Sequence, residues 1–134
     1  MKRFIDAQTR DFTKALAEIQ RGRKVSHWMW YIFPQLRGLG HSSTAQYYGL
    51  DGLREARAFA TEERLIGNLR AITKTLLAQP RRNAHAIFGN TDAMKLRSCM
   101  TLFEIADPDC SLYAQVLDEF FGGNRDQKTL DLLK

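Results

Sequence analysis

The sequence predicts an all-α fold: a compact single-domain bundle of about six to seven helices, some short, with an irregular glycine loop. Three observations predict it. Apolar residues recur at three- and four-residue spacing along most of the 134 residues. Helix stop signals at Gly22, Pro34, Gly89 and Gly122-Gly123 separate those periodic stretches. Only TAQYYGL, residues 44–50, has strand character, and one short strand without partners makes no sheet.

In chain order, Phe4, Ala7, Phe12, Ala15, Leu16 and Ile19 form a helical stripe that ends near Arg21, with Gly22 as the left-handed stop. Ser26 is placed to cap a short second helix, which Pro34 closes. That helix carries Trp28, Trp30, Tyr31 and Phe33 within six positions. A segment apolar on every side is expected to be buried. Residues 35–50 read as an irregular connection, because Gly38, Gly40, Ser42 and Ser43 disfavour regular structure. Asp51 is placed to cap a helix through LREARAFA, and a longer one follows with Leu65, Leu69, Ile72, Leu76 and Leu77 on its stripe. Pro80, Arg81, Arg82 and Asn83 break it, and AHAIFG is a single turn ended by Gly89. Asp92 opens the helix AMKLRSCMTLFEIA, Ser111 opens SLYAQVLDEFF, and Asp126 caps the last helix through TLDLLK. No repeat, low-complexity stretch or linker interrupts this order, so residues 1–134 are expected to form one domain.

Composition excludes some function classes. A net charge of +5 suggests an anionic partner, but the acids are spread throughout and no basic tract concentrates the charge. No apolar run is long enough to span a membrane, and no membrane partner is expected. MKRFIDAQTRDF has two basic residues but no apolar region after them, so no secretory signal is read. Cys99 and Cys110 form neither a CxxC pair nor a disulfide framework, which suits a reducing, cytoplasmic compartment. His27, His41 and His85 are scattered without ligand spacing, so neither a metal nor another cofactor is expected. No GxSxG elbow occurs, and Cys99 sits mid-helix, where a small buried thiol is the usual outcome.

Three segments carry a family resemblance: RGRKVSHWMWYIFPQLRGLGHSS, then IFGNTDAMKLRSCMTLF, then FFGGNRDQKTLDLL. In order and spacing they resemble a bacterial domain-of-unknown-function family, DUF 1810. The resemblance runs from Phe4 to Leu133, and it implies a small helical cytoplasmic domain with no assigned reaction. The family pattern falls on Arg23, Lys24, Ser26, His27, Trp28, Trp30, Pro34 and Gln35, then on Gly38, Gly40, Ser42, Ala45 and Tyr48. It continues at Phe88, Gly89, Asp92, Lys95, Ser98, Met100, Thr101, Phe103, Gly122 and Asp126. The chain departs from it in TEERLIGNL, where such proteins tend to carry His-Pro and then Leu-Gly, and at Ser98-Cys99, typically a serine pair.

Candidate chemistry gathers in two places. RGLGHSS offers glycine N–H groups and two hydroxyls, suited to an anion, although it is neither a P-loop nor a dinucleotide fingerprint; taken alone, a tight turn accounts for the glycines better. Arg23, Lys24 and His27 lie just upstream, and Trp28 or Trp30 is placed to stack on a base. The two indoles are about 200° apart on a helix, so at least one belongs to the core. The second place is the polar strip Asp92, Lys95, Ser98 and Thr101 on the later helix.

The expected partner is a small anionic or nucleotide-like ligand, held between HWMWYIFPQLRGLGHSS and the helix from Asp92. Binding residues would be Arg23, Lys24, Ser26, Trp28, Trp30, Gln35, Gly38, Gly40, Ser42, Tyr48, Lys95, Ser98 and Thr101. If the protein is an enzyme, His27 is the proton carrier and Asp92 the carboxylate of a hydrolase acting on an N-glycosidic or ADP-ribose-like bond. The alternative is a non-catalytic nucleic-acid- or protein-interaction module using the Arg and Lys clusters. The sequence leaves the oligomeric state open.

Overall fold

Helix α1, Lys2–Gln20, sets the frame on which the rest is assembled. The structure, a computed structural model, describes residues 1–134. The buried stripe of α1 is Phe4, Ala7, Gln8, Asp11, Ala15, Glu18 and Ile19, at helical spacing. Phe12 and Leu16 lie only at its margin. Gly22, at φ +80°, turns the chain after α1 as the sequence predicts.

The three polar residues of that stripe grip the aromatic segment. Glu18 accepts from the N–H groups of Val25 (2.7 Å) and Ser26 (3.0 Å), the Ser26 hydroxyl (2.6 Å) and the Trp28 indole (3.0 Å). Asp11 accepts from the Tyr31 hydroxyl, and the Gln8 amide donates to the Tyr31 carbonyl at 2.8 Å. Held this way, residues 29–32 form a single turn, α2 (Met29–Ile32). Trp28, not Ser26, occupies its N-cap position, because the Ser26 hydroxyl is bonded to Glu18.

Residues 43–48 correct the strand expectation. They form helix α3 (Ser43–Tyr48), started by the Ser42 hydroxyl, which accepts from the Ala45 N–H at 3.1 Å. A capped first turn outweighs the modest strand preference of the tyrosines. The one extended contact is a parallel bridge between Leu36 and Leu50. Helix α4 (Leu53–Thr61) begins at Gly52, at φ +123°, and not through an Asp51 side-chain cap. The Asp51 carboxylate meets Arg37 at 3.2 Å, and its N–H donates to Glu55. Helices α5 (Glu63–Leu77) and α6 (Ala84–Phe88, capped by Asn83) follow as expected.

Helix α7 (Asn90–Ala106) starts three residues earlier than the sequence suggests. Gly89 is at the N-cap, and Asp92 lies in the first turn as an ion-pair partner instead of a cap. Ser111 precedes α8 (Leu112–Phe121) without a side-chain cap bond. Asp126 does cap α9 (Gln127–Leu132), accepting from the Thr129 N–H at 3.1 Å. Nine helices result, four of which, α2, α3, α6 and α9, are only four to six residues long.

Helix α7 is the axis of the domain, packed by α4, α6, α8 and α9, while α1 packs on α5 and α2. It is buried on most sides, so its sequence shows little amphipathic contrast. The core is one cluster of 31 buried residues, threaded by edge-on aromatic contacts from Phe4 to Phe59 (5.2 Å) and Phe59 to Phe103 (5.3 Å). No helix is long and apolar enough to cross a membrane.

Candidate functional site

A cleft of about 360 Å³ opens where the glycine loop, α3, α7 and the start of α9 meet. Gln35, Leu39, Gly40, His41 and Ser42 form one wall, and Thr91, Met94, Lys95 and Ser98 the other, with Asp126 and Lys128 at the end. Spacing explains the second wall: 91, 94, 95 and 98 lie on one face of a helix. Between Gln35 and Leu39, Gly38 turns the chain at φ +104°. Gly40 lies so close to α3 that a Cβ there would stand 2.7 Å from the Ala45 Cβ.

The charge arrangement behind the cleft is built around Asp92. Its carboxylate meets the Lys24 ammonium at 2.8 Å and the Lys95 ammonium at 3.6 Å. Lys24 also donates to the Ser26 carbonyl (2.6 Å) and stands over the Trp28 ring (4.9 Å), with its side chain only 7% exposed. Lys95 stands over the Trp30 ring at 5.0 Å. At the far end, Asp126 accepts from the hydroxyls of Ser98 (3.0 Å) and Thr129 (2.6 Å) and from the Thr129 N–H. The Arg97 guanidinium approaches Asp126 no closer than 3.6 Å, and its Nε is buried without a partner.

The strongest electrostatic perturbations lie outside the cleft. Burial would raise the Glu18 carboxyl, but the donors of Ser26, Val25 and Trp28 hold it down at about 2. Burial and the Asp11 carboxylate push the Tyr31 hydroxyl up to about 12. Burial opposes the ionisation of Asp107, but Arg70 (2.9 and 2.6 Å) and Tyr113 (2.7 Å) bring its net pKa down. Each of these groups ties elements together and none faces the cleft.

The structure brings together five of the residues singled out from the sequence. Gln35, Gly40, Ser42, Lys95 and Ser98 all line the cleft. The others take different places. Trp28 is 0% exposed, so its ring is closed to any ligand. Trp30 lies beneath Lys95. Lys24 and Asp92 stand behind Lys95, so the anion that Lys24 meets is Asp92. Ser26 is bonded to Glu18, and Tyr48 packs on Tyr31 at 5.0 Å. Thr101 is buried, donating to the Arg97 carbonyl and accepting from the Asp126 N–H. Gly38 shapes the loop without lining the cleft. Arg23 and His27 are exposed and lie outside it.

Leu39, His41, Thr91, Met94, Asp126 and Lys128 line the cleft without having been singled out as binding residues. His41 sits inside the RGLGHSS motif and Thr91 and Met94 on the helix already implicated, so one helical turn of foresight reaches them. Lys128 needs the docking of α9 on α7, which no local signal announces. No three His, Cys, Asp or Glu side chains converge as metal ligands.

No curated protein matches the chain. Among solved structures, it is similar to the crystal structure of the conserved hypothetical protein Rv1873 from Mycobacterium tuberculosis. The two are 39% identical over 98% of this chain and 94% of that one, with a TM-score of 0.96. The family described as "Protein of unknown function (DUF1810)" matches residues 1–133. With that span and the cleft-forming segments inside it, the chain belongs to the DUF1810 family.

Proposed function

We propose that this protein binds a small anionic, nucleotide-like ligand in the cleft between the glycine loop and α7. The observation that carries the reading is the state of Lys95. Its ammonium is held in place by the Trp30 ring, yet its only carboxylate, Asp92, is already paired more closely with Lys24. Positive charge therefore remains for an incoming anion. In and behind the cleft, Lys95, Lys128, Arg97 and Lys24 face only two carboxylates, Asp92 and Asp126. One Asp126 oxygen already accepts three hydrogen bonds, which limits its repulsion of an anion.

Leu39 and Met94, the latter 59% exposed, supply an apolar surface for a flat ring in place of the closed Trp28. Binding is favoured over N-glycosidic hydrolysis, because Asp92 lies between two lysines and Asp126 serves as a cap, leaving no free carboxylate. A nucleic-acid interface is the weaker reading. Arg82 pairs with Glu119, and Arg3, Arg37, Arg70 and Arg125 with other carboxylates, so these five are already engaged, although Arg21, Arg23 and Arg81 carry no such pair. The free thiols of Cys99 and Cys110 suit a reducing, cytoplasmic setting.

Thermal shift and calorimetric titration with inorganic phosphate, pyrophosphate and nucleoside monophosphates test the reading. Saturable stabilisation is expected, weakened about tenfold in Lys95→Met, which leaves Asp92 paired with Lys24. If none of these anions stabilises the protein while a single-stranded oligonucleotide binds with steep salt dependence, the cleft reading fails.

A further inference from the structure

Ten polar or charged residues are buried in this fold: Gln8, Asp11, Glu18, Gln35, Thr73, Ser98, Thr101, Asp107, Asp126 and Thr129. Nine of them use their side chains in internal hydrogen bonds, from Gln8 with Tyr31 and Asn68 to Thr129 with Asp126. Gln35 does not. The residue is 8% exposed, its side chain has no protein partner, and it lies on the cleft wall. Its amide is not among the enclosed orphans of the structure, so the little surface it keeps opens into the cleft. Buried amides are normally satisfied, and leaving one unpaired costs stability.

The surroundings keep that amide both fixed and open. The Gln35 carbonyl accepts from the Leu50 N–H at 2.9 Å, which pins the backbone through the Leu36–Leu50 bridge. A Cβ on residue 40 would stand 3.4 Å from the Gln35 Nε2, so the glycine there leaves the amide uncovered. A primary amide offers one acceptor beside two donors, the pattern that pairs two-point with the edge of a nucleobase or another carboxamide. Lys95 and Lys128 lie on the same cleft and favour an anion.

We propose that Gln35 is a specificity-determining residue, reading the planar donor–acceptor edge of a mononucleotide whose phosphate is held by Lys95 and Lys128. This rests on the anion-binding reading of the same cleft. A cavity of about 360 Å³ is near the small end of ligand sites, which run from about 300 Å³, and suits one nucleotide better than two. The edge recognised is an amide-type face, from a nucleobase or from a ring carboxamide.

Titration of the wild-type protein with adenosine monophosphate, nicotinamide mononucleotide and ribose 5-phosphate separates these elements. At least one ring-bearing ligand is expected to bind about tenfold or more tighter than ribose 5-phosphate. Preference for the first ligand assigns a nucleobase, and preference for the second a carboxamide. In Gln35→Met, which keeps side-chain length and breaks no internal hydrogen bond, that preference shrinks to less than about threefold. Gln35→Ala gives the same loss, and the melting temperature of each variant confirms folding. Equal wild-type affinity for all three ligands overturns the role of Gln35 while leaving the cleft reading standing, as does a preference that survives both substitutions. If ribose 5-phosphate and both ring-bearing ligands all fail to bind, the cleft reading falls and this assignment falls with it.

Discussion

Replacing Glu18 tests the account of how the aromatic segment is held. The carboxylate accepts four hydrogen bonds and is 1% exposed. In Glu18→Ala the Trp28 indole N–H, fully enclosed, loses its acceptor, and the N–H groups of Val25 and Ser26 lose theirs closer to water. An unsatisfied buried donor costs about 1–3 kcal/mol, so the total is about 3–5 kcal/mol after allowing for partial rehydration. That is a large share of a stability of about 5–15 kcal/mol. Glu18→Gln keeps one carbonyl oxygen for the three N–H groups and loses the charge, costing about 3 kcal/mol at neutral pH.

The pH dependence separates charge from shape. The Glu18 carboxyl falls from 4.5 to about 2 on folding, a drop worth roughly 3 kcal/mol. A depressed carboxyl contributes its stability fully above the unfolded value, and that contribution disappears as the pH falls through the folded value. The difference in unfolding free energy between wild type and Glu18→Gln is therefore constant above about pH 5 and shrinks between about pH 4.5 and 2. Other depressed carboxyls, such as Asp11 and Asp107, titrate in both proteins and cancel in the difference. Urea unfolding followed by tryptophan fluorescence across that range measures it. A Glu18→Ala protein within about 0.5 kcal/mol of wild type, or a gap that does not change with pH, refutes the reasoning.

Two further substitutions or reactions check the core and the cleft. Gly40→Ala places a Cβ 2.7 Å from the Ala45 Cβ and is expected to cost about 1–3 kcal/mol by crowding alone. Its melting temperature falls and its affinity for mononucleotides weakens, because the added methyl also crowds the Gln35 amide; an unchanged melting temperature would show that the loop has room. Cys99 is fully enclosed and burial pushes its thiol well above the usual range, whereas Cys110 reaches the surface. Iodoacetamide at pH 8 is expected to label Cys110 alone until the protein unfolds, and mass spectrometry of the native protein showing two labels contradicts the packing of α7.

Periodic stripes and glycine stops locate most helices directly, because amphipathic spacing and left-handed turns are local properties. The Asp126 cap and the Gly22, Gly89 and Gly122 stops stand where the sequence places them. Local reading fails where a side chain has a distant partner. Ser26 looks like a cap until Glu18 takes its hydroxyl, and Asp92 looks like one until Lys24 and Lys95 converge on it. Glu18 itself was within reach: with Gln8 and Asp11 it is a polar residue on an otherwise apolar stripe, and a buried carboxylate there requires donors.

The glycine loop and α7, which line the cleft, were already set apart in the sequence by the types of residue they carry. Which indole stays within reach of Lys95, that His27 lies outside the cleft, and that α9 brings Lys128 to the same opening depend on packing between segments far apart in the chain. The sequence by itself determined a helical domain of the DUF1810 family and a short list of polar residues worth watching. Only the tertiary structure decided which were spent on internal hydrogen bonds and which, like Gln35, were left facing the cleft. The physical reason is that a hydrogen bond is satisfied in space and not in sequence.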